Sequence, residues 1–306
     1  MRRHFIAVLL SCLSLSIPLS ARIPAPPGFE DVRHLAENAP LVFRGQVVDV
    51  KFAKKQAYPE NGHTFAEEGV AVIWVDRWYR GSSSNSSVNL HFVYNDQAAG
   101  NGHNCRKPEI GSYWIVFAAK PSAGQVLEMY DDCEGALRVS SLLGPKTSGS
   151  FLAQMEEDFA AGLDDSAADV RIACIQRLAG LGQLRSTQAL HRVIADAAEE
   201  ESKWAIFAAL KTGDTSALPL AVPLLLSLHH EEARLIRDPN GFTYVGGGTP
   251  YPEPEGLMAV VISNVRAPEA VPSLTRLANE ASDGLVRNSA THALQEIKKL
   301  PDKPEK

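Results

Sequence analysis

The sequence predicts a two-domain protein in which an all-β barrel is followed by an all-α domain of helical repeats. Two observations support this fold class. Apolar residues recur with a period of two between residues 41 and 130, which is typical of half-buried strands, whereas from residue 151 onward they recur at helical spacing. The chain has 306 residues, which is long enough for two domains that each bury a hydrophobic core.

Residues 1–21 predict a secretory signal peptide, because Arg2 and Arg3 precede a short apolar run that closes at Ala21. The run is shorter than the roughly twenty residues that a membrane-spanning helix needs. We therefore expect a secreted or periplasmic protein with no transmembrane span in its mature form. Two alternatives stay open. The LLSC string ending at Cys12 is similar to a lipoprotein box, which would anchor the protein through a lipid, and the paired arginines are similar to a twin-arginine signal.

The charge of the chain argues against nucleic acid as a partner. The formal net charge is -6, and the 30 Lys and Arg residues are scattered along the sequence. A nucleic-acid-binding protein needs a basic face that displaces counterions from phosphates, and no segment predicts one.

The barrel domain is expected over residues 22–143. Its strands are short, with turn residues and no helices between them, and are predicted at 41–50, 70–80, 88–94, 113–118 and 126–130. Such a series is typical of a small closed or nearly closed antiparallel barrel. Gly45 inside the first strand predicts a bulge or a sharp bend. Trp74 and Trp78 are an even number of residues apart, so we expect both on one strand face, interpreted as barrel core.

Three cysteines follow the predicted leader. In an oxidising compartment Cys105 and Cys133 are expected to form a disulfide, since both lie in the strand-rich half and bracket the 113–117 strand. A loop of that length would stabilise the fold by roughly 3 kcal/mol in the chain-entropy treatment. Cys174 lies in a helical pattern and is predicted to be a buried free thiol.

Residues 31–143 resemble the netrin/TIMP-like OB-fold domain of secreted proteins. The resemblance is carried, in order, by LVFRGQVV at 41–48, VDRWYRG at 75–81, GSYWIVFA at 111–118 and CEG at 133–135. It implies an OB-like barrel. Members that inhibit metalloproteinases chelate the target's zinc through an N-terminal cysteine. The mature start expected here, near Arg22, has no cysteine, so the scaffold is supported and that inhibitory chemistry is not.

Residues 144–150 are predicted to be a linker, and residues 151–300 to be helical. The helices are interrupted by a glycine-rich and aromatic loop at 238–254, and the charged tail at 301–306 is expected to be disordered. The phrases AVPSL at 270–274 and DGLVRNSA at 283–290 resemble HEAT-like repeats, a resemblance that covers about 164–298. It implies stacked helix pairs and leaves the ligand open.

No catalytic motif is present: the sequence has no GxSxG, HExxH, phosphate-loop or CxxC pattern. Histidines and acidic residues at 229–232, at 103 and at 131–134 are interpreted as solvated turns or helix ends, so no metal site and no cofactor are predicted. Aromatic side chains between glycines and prolines in the 238–254 loop are candidate anchors for a partner, namely Phe242, Tyr244 and Tyr251.

These features predict an exported, non-catalytic module for protein interaction or assembly, whose protein partner the sequence does not identify. Two alternatives stay open. The barrel could inhibit an extracellular or periplasmic hydrolase, or the chain could bind a metal near residue 229.

Overall fold

The structure is a computed structural model that describes residues 32–58, 64–95, 107–119, 126–130, 135–147, 149–182, 187–228, 234–237, 243–246 and 253–300. A short helix, α1 (Val32–Asn38), precedes the strands. The predicted fold class is confirmed, because a closed β-barrel in the N-terminal half is followed by a helical domain.

The barrel is closed by five strands. The strands in this half of the described chain are β1 (Leu41–Tyr58), β2 (Thr64–Arg80), β3 (Ser87–Asn95), β4 (Tyr113–Ala119), β5 (Val126–Met129) and β6 (Ala136–Val139). Their order is β1-β2-β3-β5-β4, and β1 pairs again with β4 to complete the ring. The barrel is mixed and not purely antiparallel, because β3 and β5 run parallel. The sequence missed β6, a four-residue strand that pairs with β4 beside β5.

A bulge in β2 corrects the prediction for the two tryptophans. Gly45 pairs with Val75 while Arg44 pairs with Arg77, so Asp76 is an extra residue that reverses the inward and outward alternation. Trp78 therefore packs against Phe43 in the barrel core, with ring centroids 4.9 Å apart. Trp74 lies on the other face and is 48% exposed, so the expectation of a shared face was wrong.

Strand β4 is buried on both faces. Trp114, Val116 and Ala118 point into the barrel core. Ile115 and Phe117 instead belong to a second core that the helices share. The unbroken apolar run in this strand has the same cause as in buried parallel sheets, namely that neither face meets water.

The helical part is built from two layers. Its helices are α2 (Phe151–Ala161), α3 (Ala168–Leu181), α4 (Thr187–Asp196), α5 (Glu199–Lys211), α6 (Leu218–Leu226), α7 (Pro254–Val261), α8 (Val271–Glu280) and α9 (Gly284–Lys298). Helices α3, α5, α7 and α9 stack in one layer, whereas α4, α6 and α8 alternate with them along the chain and α6 packs on α8. A hairpin, β7 (Arg234–Arg237) and β8 (Thr243–Gly246), is inserted between α6 and α7.

Two helices of the first layer begin with the same arginine contacts. Arg171 of α3 donates to the carbonyls of the residues six and five positions before it, at 2.7 and 3.0 Å. Arg287 of α9 does the same at 2.7 and 2.6 Å. Neighbouring helices in this layer are also joined by ion pairs, since Arg171 binds Glu201 at 2.7 Å and Lys203 binds Glu255 at 2.9 Å. These recurring contacts fix the stacking of the layer.

The Asp158 junction (Arg77, Tyr79, Gly144 and Asp158) joins the barrel to the helices. The Asp158 carboxylate on α2 accepts hydrogen bonds from the Arg77 guanidinium, from the Tyr79 hydroxyl at 2.5 Å and from the Gly144 amide at 2.9 Å. Burial raises the pKa of Asp158, and the bond from Tyr79 and the charge of Arg77 offset part of that rise. Two donors from β2 and one from the predicted linker therefore meet one carboxylate on the first helix.

Arg44 of β1 lies beside this junction and is completely buried. It forms an ion pair with Asp76, and it donates to the carbonyls of Ser140 and Leu142 at 2.6 and 3.2 Å. Its guanidinium lies 4.9 Å from the centre of the Tyr113 ring. A buried charge needs such partners, because a lone ion in an apolar interior is strongly unfavourable.

Replacing Asp158 with asparagine is expected to destabilise the whole protein. The change leaves the Arg77 charge buried without its counter-ion, which should lower the free energy of unfolding by about 3 kcal/mol. Denaturant unfolding monitored by circular dichroism measures this. The control is Asp169→Asn, since Asp169 is 63% exposed and 3.4 Å from Arg138, and it should change stability by less than about 0.5 kcal/mol. Equal losses for both variants would contradict the role of the junction.

Gly144 is also expected to tolerate no side chain. A Cβ atom there would lie 2.3 Å from the backbone oxygen of Glu157, so Gly144→Ala should cost about 2 kcal/mol or more through overpacking. Gly284→Ala is the matched control. Its Cβ would meet nothing closer than an Arg287 nitrogen at 3.8 Å, and alanine favours the helix that starts there. The midpoint of thermal unfolding should be highest for G284A, intermediate for wild type and lowest for G144A. A G144A midpoint equal to that of wild type would refute the close packing.

Candidate functional site

A helix-start groove of about 680 Å³ lies where α4, α6 and α8 begin. The described residues that line it are Thr187, Gly213, Asp214, Thr215, Ser216, Leu218, Pro219, Glu269, Ala270 and Ser273. Most are small, hydroxylated or acidic, so the groove presents oxygen atoms and short apolar side chains. Its volume falls in the range of sites that hold a small molecule or a short peptide segment.

The lining residues occupy equivalent positions in successive repeats. Thr187 and Thr215 are 28 residues apart and begin the phrases TQALH and TSALP. The third phrase, PEAVP, begins at Pro268, 53 residues after Thr215. The excess of 25 residues matches the inserted segment 229–253 that carries the β7–β8 hairpin. The groove is therefore a product of the repeat itself.

Asp214 organises the groove between α5 and α6. Its Oδ1 accepts from the Ser216 amide at 3.1 Å and from the Ser216 hydroxyl at 2.6 Å, which caps the turn that starts α6. Its Oδ2 lies 2.7 Å from His191 Nε2 on α4. Burial alone would raise the pKa of Asp214, but the contacts with Ser216 and His191 outweigh it and hold the pKa below its usual value.

These three residue types also form hydrolase triads, yet their geometry here is different. Both Asp214 and Ser216 contact the same imidazole nitrogen, Nε2 of His191, at 2.7 and 3.3 Å. A catalytic histidine uses one nitrogen for its acid partner and the other for the nucleophile, which lets it pass a proton between them. The group is therefore a helix cap in which Asp214 also contacts His191, and its arrangement does not activate Ser216.

The groove lies in an acidic region. Residues 151–300 contain 20 Asp and Glu residues against 13 Lys and Arg. The groove adds the carboxylates of Asp214 and Glu269, and none of its described lining residues is Lys or Arg. A positively charged group is the electrostatic complement of this surface.

Most of the residues predicted to carry a site are not among the described residues. Cys105, Cys133, Phe242 and Tyr251 fall outside the described residues, as do the histidines and acidic residues at 103, 131–134 and 229–232. Tyr244 lies in β8, where the backbone pairs with Ile236. The hairpin follows the C-terminal end of α6, whereas the groove lies at its N-terminal end, so these are different places on the domain.

Cys174 is a fully buried free thiol, as predicted. Burial raises its pKa to about 12, so it stays protonated and unreactive at neutral pH. Within the described ranges, no group of three or more His, Cys, Asp or Glu side chains is placed to hold a metal ion. In the same part of the chain, no helix combines the length and the apolar character needed to cross a bilayer.

No protein-family model matches the chain, and a search of curated proteins found no match either. The site is therefore interpreted from its own geometry. Sequence reasoning missed the groove, although the recurring TQALH, TSALP and PEAVP phrases are a signal that could have located it.

Removing the Asp214 carboxylate is expected to lower the stability at neutral pH and to make it less dependent on acid. Because the folded-state pKa is lowered, its contribution is present above the unfolded value of about 3.9 and is lost as pH falls through the folded value. Asp214→Ala should cost about 1 kcal/mol at pH 7 through the lost cap, and should flatten the stability profile between about pH 4 and 2. Denaturant unfolding across that range measures it.

Asp196→Ala is the control for Asp214→Ala, because Asp196 is an exposed aspartate at the end of α4. An unchanged acid profile in the Asp214 variant would show that the cap does not stabilise the groove.

Proposed function

We propose that this chain is an exported, non-catalytic module for protein interaction or assembly, and that the helix-start groove binds a positively charged segment of its partner. The composition of the leader at residues 1–21 supports export. The recurring arginine contacts of α3 and α9 support a HEAT-like array, and the strand order supports a netrin-like barrel.

The observation that carries the proposal is the continuous core between the two parts of the chain. Val42 and Phe117 of the barrel lie in the same buried cluster as Met155, Phe159 and Cys174 of the helices. Together with the Asp158 junction, this cluster fixes the barrel against the array. A rigid body loses little conformational freedom on binding, which favours a scaffold that presents a preformed surface.

The ionisable groups Arg44, Asp158 and His191 all have structural partners. Arg44 and Asp158 connect strands to the linker and to α2, and His191 completes a helix cap. The groove, by contrast, presents the exposed Glu269 and the hydroxyls of Thr215 and Ser273 to the outside. These groups can accept or donate hydrogen bonds to a partner without disturbing the fold, which favours recognition over catalysis.

Reversing one charge in the groove is expected to weaken binding of the partner. Glu269→Lys places a positive charge where a cationic segment would bind, and it should weaken binding at least ten-fold, or about 1.4 kcal/mol. Glu280→Lys is the matched control, because Glu280 is an exposed glutamate at the opposite end of α8 that pairs with Arg276 at 3.0 Å. The measurement is quantitative capture of secreted or envelope proteins by each variant, followed by titration of the enriched protein.

The two surfaces of the helical domain give different outcomes in this experiment. Loss of the partner with Glu269→Lys but not with Glu280→Lys supports the groove. Loss only when residues 238–254 are deleted would assign binding to the loop with Phe242, Tyr244 and Tyr251, and would refute the groove. A captured hydrolase whose activity falls on binding would support the inhibitor alternative in place of an assembly role.

A further inference from the structure

The barrel closes along a short seam between β3 and β5. Among the described residues the two strands pair at two positions, Asn89 with Val126 and Leu90 with Leu127. On its other side β5 pairs with β4, again at two positions. By comparison β1 and β2 pair along most of their lengths. Within the described residues the two pairings of β5 are therefore the shortest in the ring, and the β3–β5 pairing is also parallel, which is slightly weaker per residue.

The His91 clamp (Glu68, His91 and Glu128) spans this seam on the outer face of the barrel. His91 Nδ1 lies 2.7 Å from Glu128 Oε2 on β5, and His91 Nε2 lies 2.9 Å from Glu68 Oε1 on β2. One imidazole thus connects three strands. Its side chain is 26% exposed, so solvent protons reach it.

The two contacts require a protonated imidazole. An ionised carboxylate can only accept hydrogen bonds, and both ring nitrogens face carboxylate oxygens, so both nitrogens must carry a proton. A neutral ring has one N–H and would lose one of the two contacts. On β1, Lys51 lies opposite Val70 of β2, the residue that pairs with His91, and Lys51 lies 3.7 Å from Asp49.

We propose that the His91 clamp stabilises the β3–β5 seam in a proton-dependent way. When the imidazole is protonated, its contact with Glu128 holds β5 against β3, and the closed barrel is most stable. When His91 loses its proton, Glu128 and Glu68 compete for the single remaining N–H, so the contact with Glu128 weakens and β5 opens more often. The His91 clamp therefore makes β5 of this exported protein open less often in mildly acidic surroundings than in alkaline ones.

The direction follows from proton linkage. Burial lowers the pKa of His91, but the hydrogen bonds and charges of Glu128 and Glu68 outweigh burial and raise it above the free value of about 6.5. The stabilisation is therefore complete below about pH 6.5 and is lost as pH rises through the folded-state value.

Hydrogen exchange at β5 tests the proposal. In the wild-type chain, the opening equilibrium of residues 126–130, corrected for intrinsic exchange, should rise about two- to five-fold between pH 5.5 and 8.5, as expected for a partly exposed ion pair. In His91→Gln, this opening equilibrium should not change with pH across the range, and it should equal the wild-type value at pH 8.5. His292→Gln, which removes an exposed histidine of α9, should keep the wild-type slope. The proposal would be refuted if the opening equilibrium of the wild-type chain did not change with pH, or if it still changed in His91→Gln.

A second measurement does not depend on the folding of the His91 variant. The His91 ring protons in the wild-type chain, followed by NMR, should titrate with a midpoint above about 6.5. Glu128→Gln should lower that midpoint, whereas Glu109→Gln, an exposed glutamate before β4, should leave it unchanged. A wild-type midpoint at or below the free value, or equal effects of the two glutamates, would exclude the clamp.

Discussion

The hydrogen bonds to Asp158 hold together the two halves of this protein. A buried carboxylate on the first long helix is satisfied by Arg77 and Tyr79 from the barrel and by the amide of Gly144 from the connecting segment. None of these groups could be buried alone without a large penalty, so each half of the chain completes the other. The shared apolar cluster around Phe117 and Phe159 can then form without a hinge.

The change from a period of two to helical spacing was sufficient to predict the fold class, because it reports which faces are buried. The same period did not predict which face a side chain occupies where the register depends on a partner strand. The extra residue Asp76 in β2 places Trp74 and Trp78 on opposite faces, and only the pairing with β1 shows it. Strand β6 was missed for a related reason: four residues give too short a pattern, and its pairing with β4 defines it.

The candidate site was harder to predict than the fold, since it is assembled from distant positions. The helix-start groove brings together residues 187, 213–219 and 269–273, which share a face only after the helices stack. Sequence reasoning instead favoured the aromatic loop, whose composition is locally conspicuous. The His91 clamp likewise combines three strands, and nothing local to His91 marks the two glutamates 23 and 37 residues away.

The structure divides its electrostatic contacts by solvent access, and this division determines what each can do. Arg77 and Asp158 are shielded from solvent, so salt affects their interaction little and it serves as a permanent joint. His91, Glu68 and Glu128 are partly exposed and include the one side chain type that titrates near neutrality, so their interaction can follow the surroundings. A scaffold with a fixed joint and a pH-dependent β3–β5 seam can hold its groove in place while that seam responds to pH.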